Sequence, residues 1–509
     1  MNIKQAKTQI RNTLRAYLAR DEYGAYRIPS MRQRPVLLMG PPGIGKTQIM
    51  EQIASEEQVG LISYTITHHT RQSAMGLPFI EKRSYGGVEY TVTEYTMSEI
   101  IGAVHALMEN TGIREGILFL DEINCVSETL APMMLQFLQN KTFGNQRLPE
   151  GWLIVAAGNP PEYNKSVRDF DVVTLDRVKR IDVAEDFAVW KEYARQKGLH
   201  GAVVSYLDIK KENFYRIENT PEGLQFATAR GWEDLSELLY VYEDLWIEVD
   251  ESLVVQYVQM PALARDFMNY LRLYNKYRQV YHVEDILQGR APAVTKTEFA
   301  AAPFDEKLAV MGLLLARLSE LARDTRRQDG LCQALYDDLS GVKGRMDAEA
   351  PADVLREILE ARRASLKRAA AAGQNDREKQ TLAQAEINRL EEYGKLLAGM
   401  PEAENDAQFA SLKGAFSRET GLRETLADGT GGAFDNVFAF LEQAVGQSQE
   451  LVLFVTEITA GFDTSWFVEE FGCEAYFRHN KELLFDERRQ QILDKLTGSR
   501  PALDGETET

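Results

Sequence analysis

The eight residues Gly40-Pro41-Pro42-Gly43-Ile44-Gly45-Lys46-Thr47 constrain this chain more than any other stretch. An apolar run, 35–39, precedes them and a helical pattern, 47–57, follows. Strand, glycine-rich loop and helix is the setting in which the pattern G-x-x-x-x-G-K-[ST] cradles phosphate. Glycines let backbone N–H groups turn inward on phosphate oxygens, and the helix N-terminus adds its positive dipole end. Lys46 is placed to reach the β- and γ-phosphates, and the Thr47 hydroxyl to ligate Mg²⁺. Residues 40–47 are therefore expected to bind ATP.

The next 140 or so residues read as alternating strand and helix, which predicts a parallel sheet flanked by helices. Short apolar runs at 35–39, 61–67, 117–120, 152–157 and 178–183 suit strands buried on both faces. Helical periods lie between them at 47–57, 97–110 and 127–139, and an amphipathic helix precedes them within 1–30. Two hairpins interrupt the series. One spans 80–95, where Val88, Tyr90 and Val92 alternate with Glu89, Thr91 and Thr93 beside Gly86-Gly87. The other spans 141–148 around Gly144-Asn145. This gives an α/β core over 1–183, then an all-α domain over 184–290, a Pro/Ala-rich linker over 290–304, and a helical extension over 305–509. Within the extension, charged helices at 352–372 and 377–397 predict a helical hairpin, read as a protruding arm. The last residues, 498–509, are expected to be disordered.

The apolar run 117–120 ends in Asp121-Glu122. A buried parallel strand presents acids only at its tip, where ligand crevices open. Asp121 there suits the shell of a Mg²⁺ held by Thr47, and Glu122 suits polarisation of an attacking water. The alternative use of such a pair is to cap a following helix.

Taken together, the loop, Leu120-Asp121-Glu122-Ile123-Asn124, Ala156-Ala157-Gly158-Asn159-Pro160 and Leu175-Asp176-Arg177-Val178 resemble the AAA+ ATPases. Gly76-Leu77-Pro78, Leu148-Pro149-Glu150-Gly151-Trp152 and Asn159-Pro160 narrow the resemblance to the MoxR-like group. It covers about residues 30–245. It implies a P-loop AAA+ core, a small all-α lid, ATP and Mg²⁺ as cofactors, and a hexameric ring of identical chains. Asn159 resembles sensor 1, which orients the lytic water. Arg177 resembles the arginine finger offered to a neighbouring subunit, with Arg180 as a second candidate. Arg230, in Ala227-Thr228-Ala229-Arg230-Gly231, resembles sensor 2. The hairpins match the family's inserts in helix 2 and before sensor 1. Where the group often carries an acid before Gly-Leu-Pro, this chain has Ser73-Ala74-Met75. The resemblance further implies a chaperone-like remodeller acting with a von Willebrand factor A domain protein.

Other features set limits. Three scattered cysteines, Cys125, Cys332 and Cys473, make neither a disulfide framework nor a zinc spacing. No signal-like N-terminus and no 18-residue apolar run are present, so a cytoplasmic protein without a membrane span is expected. A net charge of −19 disfavours a broad nucleic-acid surface, although a nucleic-acid motor is the alternative reading. His68-His69 lacks ligand partners at metal spacing. Phe462, Trp466, Phe467 and Phe471 form a stripe at helical spacing, more in keeping with core than with a binding box.

Overall fold

A computed structural model describes residues 1–163, 170–221, 223–374 and 376–481. The residues expected to be disordered, 498–509, lie outside these. The chain divides into two compact units. The first comprises Met1–Val189, Thr228–Gly231 and Ala334–Lys413; the second comprises Trp190–Ala227, Trp232–Gln333 and the chain from Gly414 onward.

The first unit is built on five parallel strands: β1 (Val36–Met39), β2 (Gly60–Thr65), β3 (Gly116–Asp121), β4 (Trp152–Gly158) and β5 (Lys179–Asp182). Their order across the sheet is β2-β3-β4-β1-β5. Side chains on a strand alternate between faces, and here both faces are covered. Leu37, Leu118, Leu120 and Ile154 join one buried cluster with Ile100, Val104, Met134 and Phe137. Val36, Leu38, Ile117, Phe119 and Val155 join another with Ile10, Leu14, Ile49 and Ile53. Double coverage is why the three inner strands, β1, β3 and β4, read as unbroken apolar runs, whereas the edge strands β2 and β5 are partly exposed and carry polar residues. Each large side chain so buried contributes roughly 1.5–3 kcal/mol. The first cluster carries helices Glu99–Thr111 and Ala131–Asn140. The second carries Ile3–Leu18, opened by an Asn2–Gln5 capping box, and Lys46–Glu57. The parallel sheet flanked by helices is as expected, and an extensive helical region follows it.

The hairpin Pro78–Tyr85/Val88–Tyr95 turns through Gly86 (φ 60°) and Gly87 (φ 84°), the pair of positive φ values a two-residue turn of this twist requires. The shorter hairpin pairs Thr142–Phe143 with Gln146–Arg147.

Helices Pro351–Ala371 and Arg377–Ala398 also pack as an antiparallel pair. Their turn does not protrude. It docks on β2, an edge of the sheet. The Leu61 N–H donates to Ala372 O (2.9 Å), Gln374 Nε2 to Val59 O (3.2 Å), and Lys379 Nζ to Ser55 Oγ (2.9 Å). An edge strand presents unpaired N–H groups that recruit a partner, and the turn satisfies one of them. Gly373 sits at φ +74°, and a Cβ there would lie 2.5 Å from Leu61 O. Gly373→Val is therefore expected to cost about 2–4 kcal/mol, from left-handed strain plus the lost dock. Gly394→Ala, with open space at its Cβ, should be neutral or stabilising by up to about 1 kcal/mol. Urea unfolding of the two variants checks this, and equal midpoints would contradict the docking.

In the second unit, the helices include Gly201–Ile209, Glu251–Tyr257 and Pro261–Val280. The region expected to be all-α also holds a hairpin, Arg216–Thr220/Gly223–Ala227. Its alternation (Ile217, Asn219 against Glu218) is too short to stand out, and the Thr220-Pro221 and Gly223 turn residues were the only cue. The helix Pro261–Val280 ends just before His282, at φ 46°, and the chain resumes as the short helix Val283–Leu287. Part of the Pro/Ala-rich stretch is a helix, Ala293–Ala301. Phe267 packs edge to face on both Tyr206 and Trp232, which meet each other at a tilt, and Trp232 Nε1 donates to Asn213 O. Phe467 of the aromatic stripe is fully buried and stacks on Phe434, while Phe462 is exposed beneath Arg326. Among the described residues no single helix is long and apolar enough to cross a membrane. One pair bent by 88°, Gln449–Ala460 with Phe462–Phe471, reaches that length and composition together. The buried Asp463 at its bend pairs with Arg323 and Arg326.

Candidate functional site: the strand tips around Lys46

β1 ends at Met39, and the chain turns through 40–45 into the Lys46–Glu57 helix. Gly45 is the residue before that helix, at φ 89°, a conformation that a side chain would strain. The turn lays Lys46 back over the strand tips. Its ammonium donates to Gly40 O (2.7 Å), Pro41 O (2.9 Å) and Asn159 Oδ1 (2.7 Å). Lys46 is only 8% exposed. Burial pushes its pKa down to about 8; Asp121 and Glu122 oppose the shift, and Arg230 adds to it.

Asp121 is the last residue of β3. Its Oδ2 accepts from Thr47 Oγ1 at 3.4 Å and its Oδ1 from the Glu122 N–H at 2.9 Å. The donor set fits a magnesium ion, because a hydroxyl and a carboxylate oxygen converge and Mg²⁺ takes hard oxygen ligands. Glu122 sits at φ 57°, in the left-handed region, at a cost of about 1–2 kcal/mol. The turn is held by the Cys125 N–H to Glu122 O and the Ile123 N–H to Ala157 O, both 2.9 Å. Glu122 Oε2 accepts from Thr67 Oγ1 at 2.7 Å.

Asn159 follows β4 directly, beside Lys46. Arg230 is brought to the loop 40–47 from far along the chain. A Cβ on Gly43 would meet Thr228 Cβ at 3.2 Å and Arg230 Cβ at 3.6 Å. Lys46, Thr47, Asp121, Glu122, Asn159 and Arg230 thus gather around the loop 40–47. Arg177 is exposed and donates to Gln139 Oε1 instead. Arg180, on β5, is held by its neighbour Asp182 at 2.9 and 3.1 Å.

Two participants were not singled out by sequence. Thr67 lies two residues beyond Thr65, which is in register with Asp121, so it reaches the next residue along, Glu122. Asn124 donates through Nδ2 to Asn159 O at 2.7 Å. Both are short polar residues just past a strand tip, and only the strand order makes them neighbours.

Residues 36–175 match the family model described as ATPase family associated with various cellular activities (AAA). The chain carries an AAA-type ATPase domain. That domain is the machinery of ATP hydrolysis, and its matched span contains the loop, Asp121-Glu122 and Asn159. No curated protein matches the chain. Among solved structures, a mutant RuvB of Thermotoga maritima is similar at 17% identity, over 39% of this chain and 51% of that one, with a TM-score of 0.24. A candidate ATPase of Cytophaga hutchinsonii is similar at 17% identity, over 36% and 53%, with a TM-score of 0.22. The chain spans about half the length of each.

The Lys46 shift carries a pH prediction for the AAA domain. A triphosphate favours the charged amine, so binding above pH 8 requires taking up a proton. The ATP association constant is expected to fall about tenfold between pH 7 and pH 9, the loss setting in as pH rises through the depressed pKa. Lys46→Arg, which stays charged throughout, should bind more weakly but with a flat profile over that range. Titration calorimetry at several pH values checks it, and a flat wild-type profile would contradict it.

Proposed function

We propose that this chain is a ring-forming, MoxR-like ATPase that uses ATP binding and hydrolysis to remodel a partner protein. The observation that carries the reading is the division of cations. Lys46 and Arg230 flank the phosphate loop, while Arg177 lies exposed on Gln139, free to swing to a neighbouring chain. In this reading Gly40, Pro41, Pro42, Gly43, Ile44 and Gly45 wrap the phosphates with backbone N–H groups, and Lys46 exchanges its three oxygen partners for phosphate oxygens. Thr47 and Asp121 would hold Mg²⁺, which would supply positive charge to offset that of the bound phosphates. Glu122 accepts the proton of the attacking water, and Asn159 orients that water. Arg230 senses the γ-phosphate within the chain. Arg177 stabilises the transferring phosphoryl of the next chain, in a hexamer.

The client class is a protein with a von Willebrand factor A domain, supported by the resemblance of 76–78, 148–152 and 159–160 to the MoxR-like group. The test is affinity capture with the Glu122→Gln chain in ATP, against a Lys46→Ala control. Enrichment of a protein client only in the trap supports remodelling. Equal recovery in both refutes it, and ATPase stimulation by DNA with salt-dependent affinity would favour the nucleic-acid motor instead.

A further inference from the structure

Glu122 and Asn159 sit on loops from different strands, yet both must address one water. The chain between them is stapled on either side of Gly158. The Ile123 N–H donates to Ala157 O at 2.9 Å, and Asn124 Nδ2 donates to Asn159 O at 2.7 Å. Asn124 is 3% exposed and lies flat against Gly158, where any Cβ would fall 2.5 Å from Asn124 Oδ1. Its Oδ1 is buried without a hydrogen-bond partner among the described residues. A buried acceptor left unpaired works against folding, so stability alone does not account for an amide at this position.

We infer that Asn124 is a positioning residue for ATP hydrolysis, holding the Asn159 peptide so that its side-chain amide stays in register with Glu122. This rests on the role proposed for Asn159. Asn124 acts through the Asn159 carbonyl. Fixing that carbonyl fixes the peptide plane at the tip of β4 and with it the direction of the Asn159 side chain, which in turn contacts Lys46. Releasing it should perturb only one of the three Lys46 acceptors, Asn159 Oδ1, and leave Gly40 O and Pro41 O in place, so the loop 40–47 is expected to keep its shape. Turnover therefore suffers and binding does not.

The experiment is a double-mutant cycle on the full chain with kcat and ATP Kd read separately. Asn124→Ala is expected to lower kcat about 10–100-fold with ATP Kd within about threefold of wild type. In an Asn159→Ala background the same change should lower kcat less than about threefold further, since nothing remains to be positioned. Asn124→Asp keeps the shape but loses the N–H donor, and should reproduce the kcat loss if Asn124→Ala fails to fold. Wild-type kcat in Asn124→Ala or Asn124→Asp, or losses that multiply fully in the double variant, would overturn the inference. Wild-type kcat in Asn159→Ala alone would overturn the reading of Asn159 and the inference with it, which separates the two failures.

Discussion

Glu122→Gln is expected to lower ATP turnover about 10²–10⁴-fold while leaving ATP affinity within about threefold of wild type. The substitution keeps the size of the side chain and a hydrogen-bonding oxygen for Thr67, whose hydroxyl donates to Glu122 Oε2 at 2.7 Å. It removes only the ability to take a proton. Binding rests elsewhere, on the loop 40–47 and on Lys46, so the two parameters separate. Single-turnover hydrolysis and equilibrium binding on the same preparation check the split. Retention of a tenth or more of wild-type turnover would remove Glu122 from the role of base.

Arg177→Ala is expected to lower turnover about 10³-fold or more, with ATP binding retained. The effect should belong to the assembly and not to the chain. In the first unit Arg177 is exposed and bonded to Gln139, whereas Arg230 stands beside Gly43. Mixing inactive Arg177→Ala chains with inactive Glu122→Gln chains should restore activity. At a mixed boundary one chain supplies an intact Glu122 site and its neighbour an intact Arg177. Arg180→Ala should stay within about threefold of wild type, because Arg180 is already engaged by Asp182 on the same strand. No recovery on mixing, at any ratio, would exclude delivery of Arg177 from a neighbour. By the same logic a dilute monomer should bind ATP and turn it over slowly.

The strand, turn and helix over 36–57, the strand-end acids and the sheet itself were legible because each is written locally. Burial on both faces makes a strand an apolar run, and the tip of such a strand is where Asp121-Glu122 can be polar. The helical hairpin was legible for the same reason, from two periodic stretches and a break between them. Its destination was not. That the turn at Ala372 meets the Leu61 N–H depends on β2 lying at an edge of the sheet, and nothing in the charged surfaces of 352–397 carries that information. The hairpin within 216–227 was missed because five-residue strands give too few alternations to stand against helical neighbours.

By itself, then, the sequence determined that a glycine-rich turn over 40–45 joins a strand to a helix opening with Lys46 and Thr47, the pattern expected to cradle a phosphate, and that acids stand at the tip of a neighbouring strand. These are properties of a few consecutive residues and the backbone geometry they allow. Tertiary structure alone decided the rest of the site. It placed Thr67 on Glu122, Asn124 on the carbonyl of Asn159, and Thr228 and Arg230 against Gly43. It also set Lys46 among three oxygens and lowered its pKa. The physical reason is that strand order and burial fix distances between residues tens to hundreds of positions apart. A hydrogen bond or a desolvated amine depends on those distances and not on adjacency in the chain.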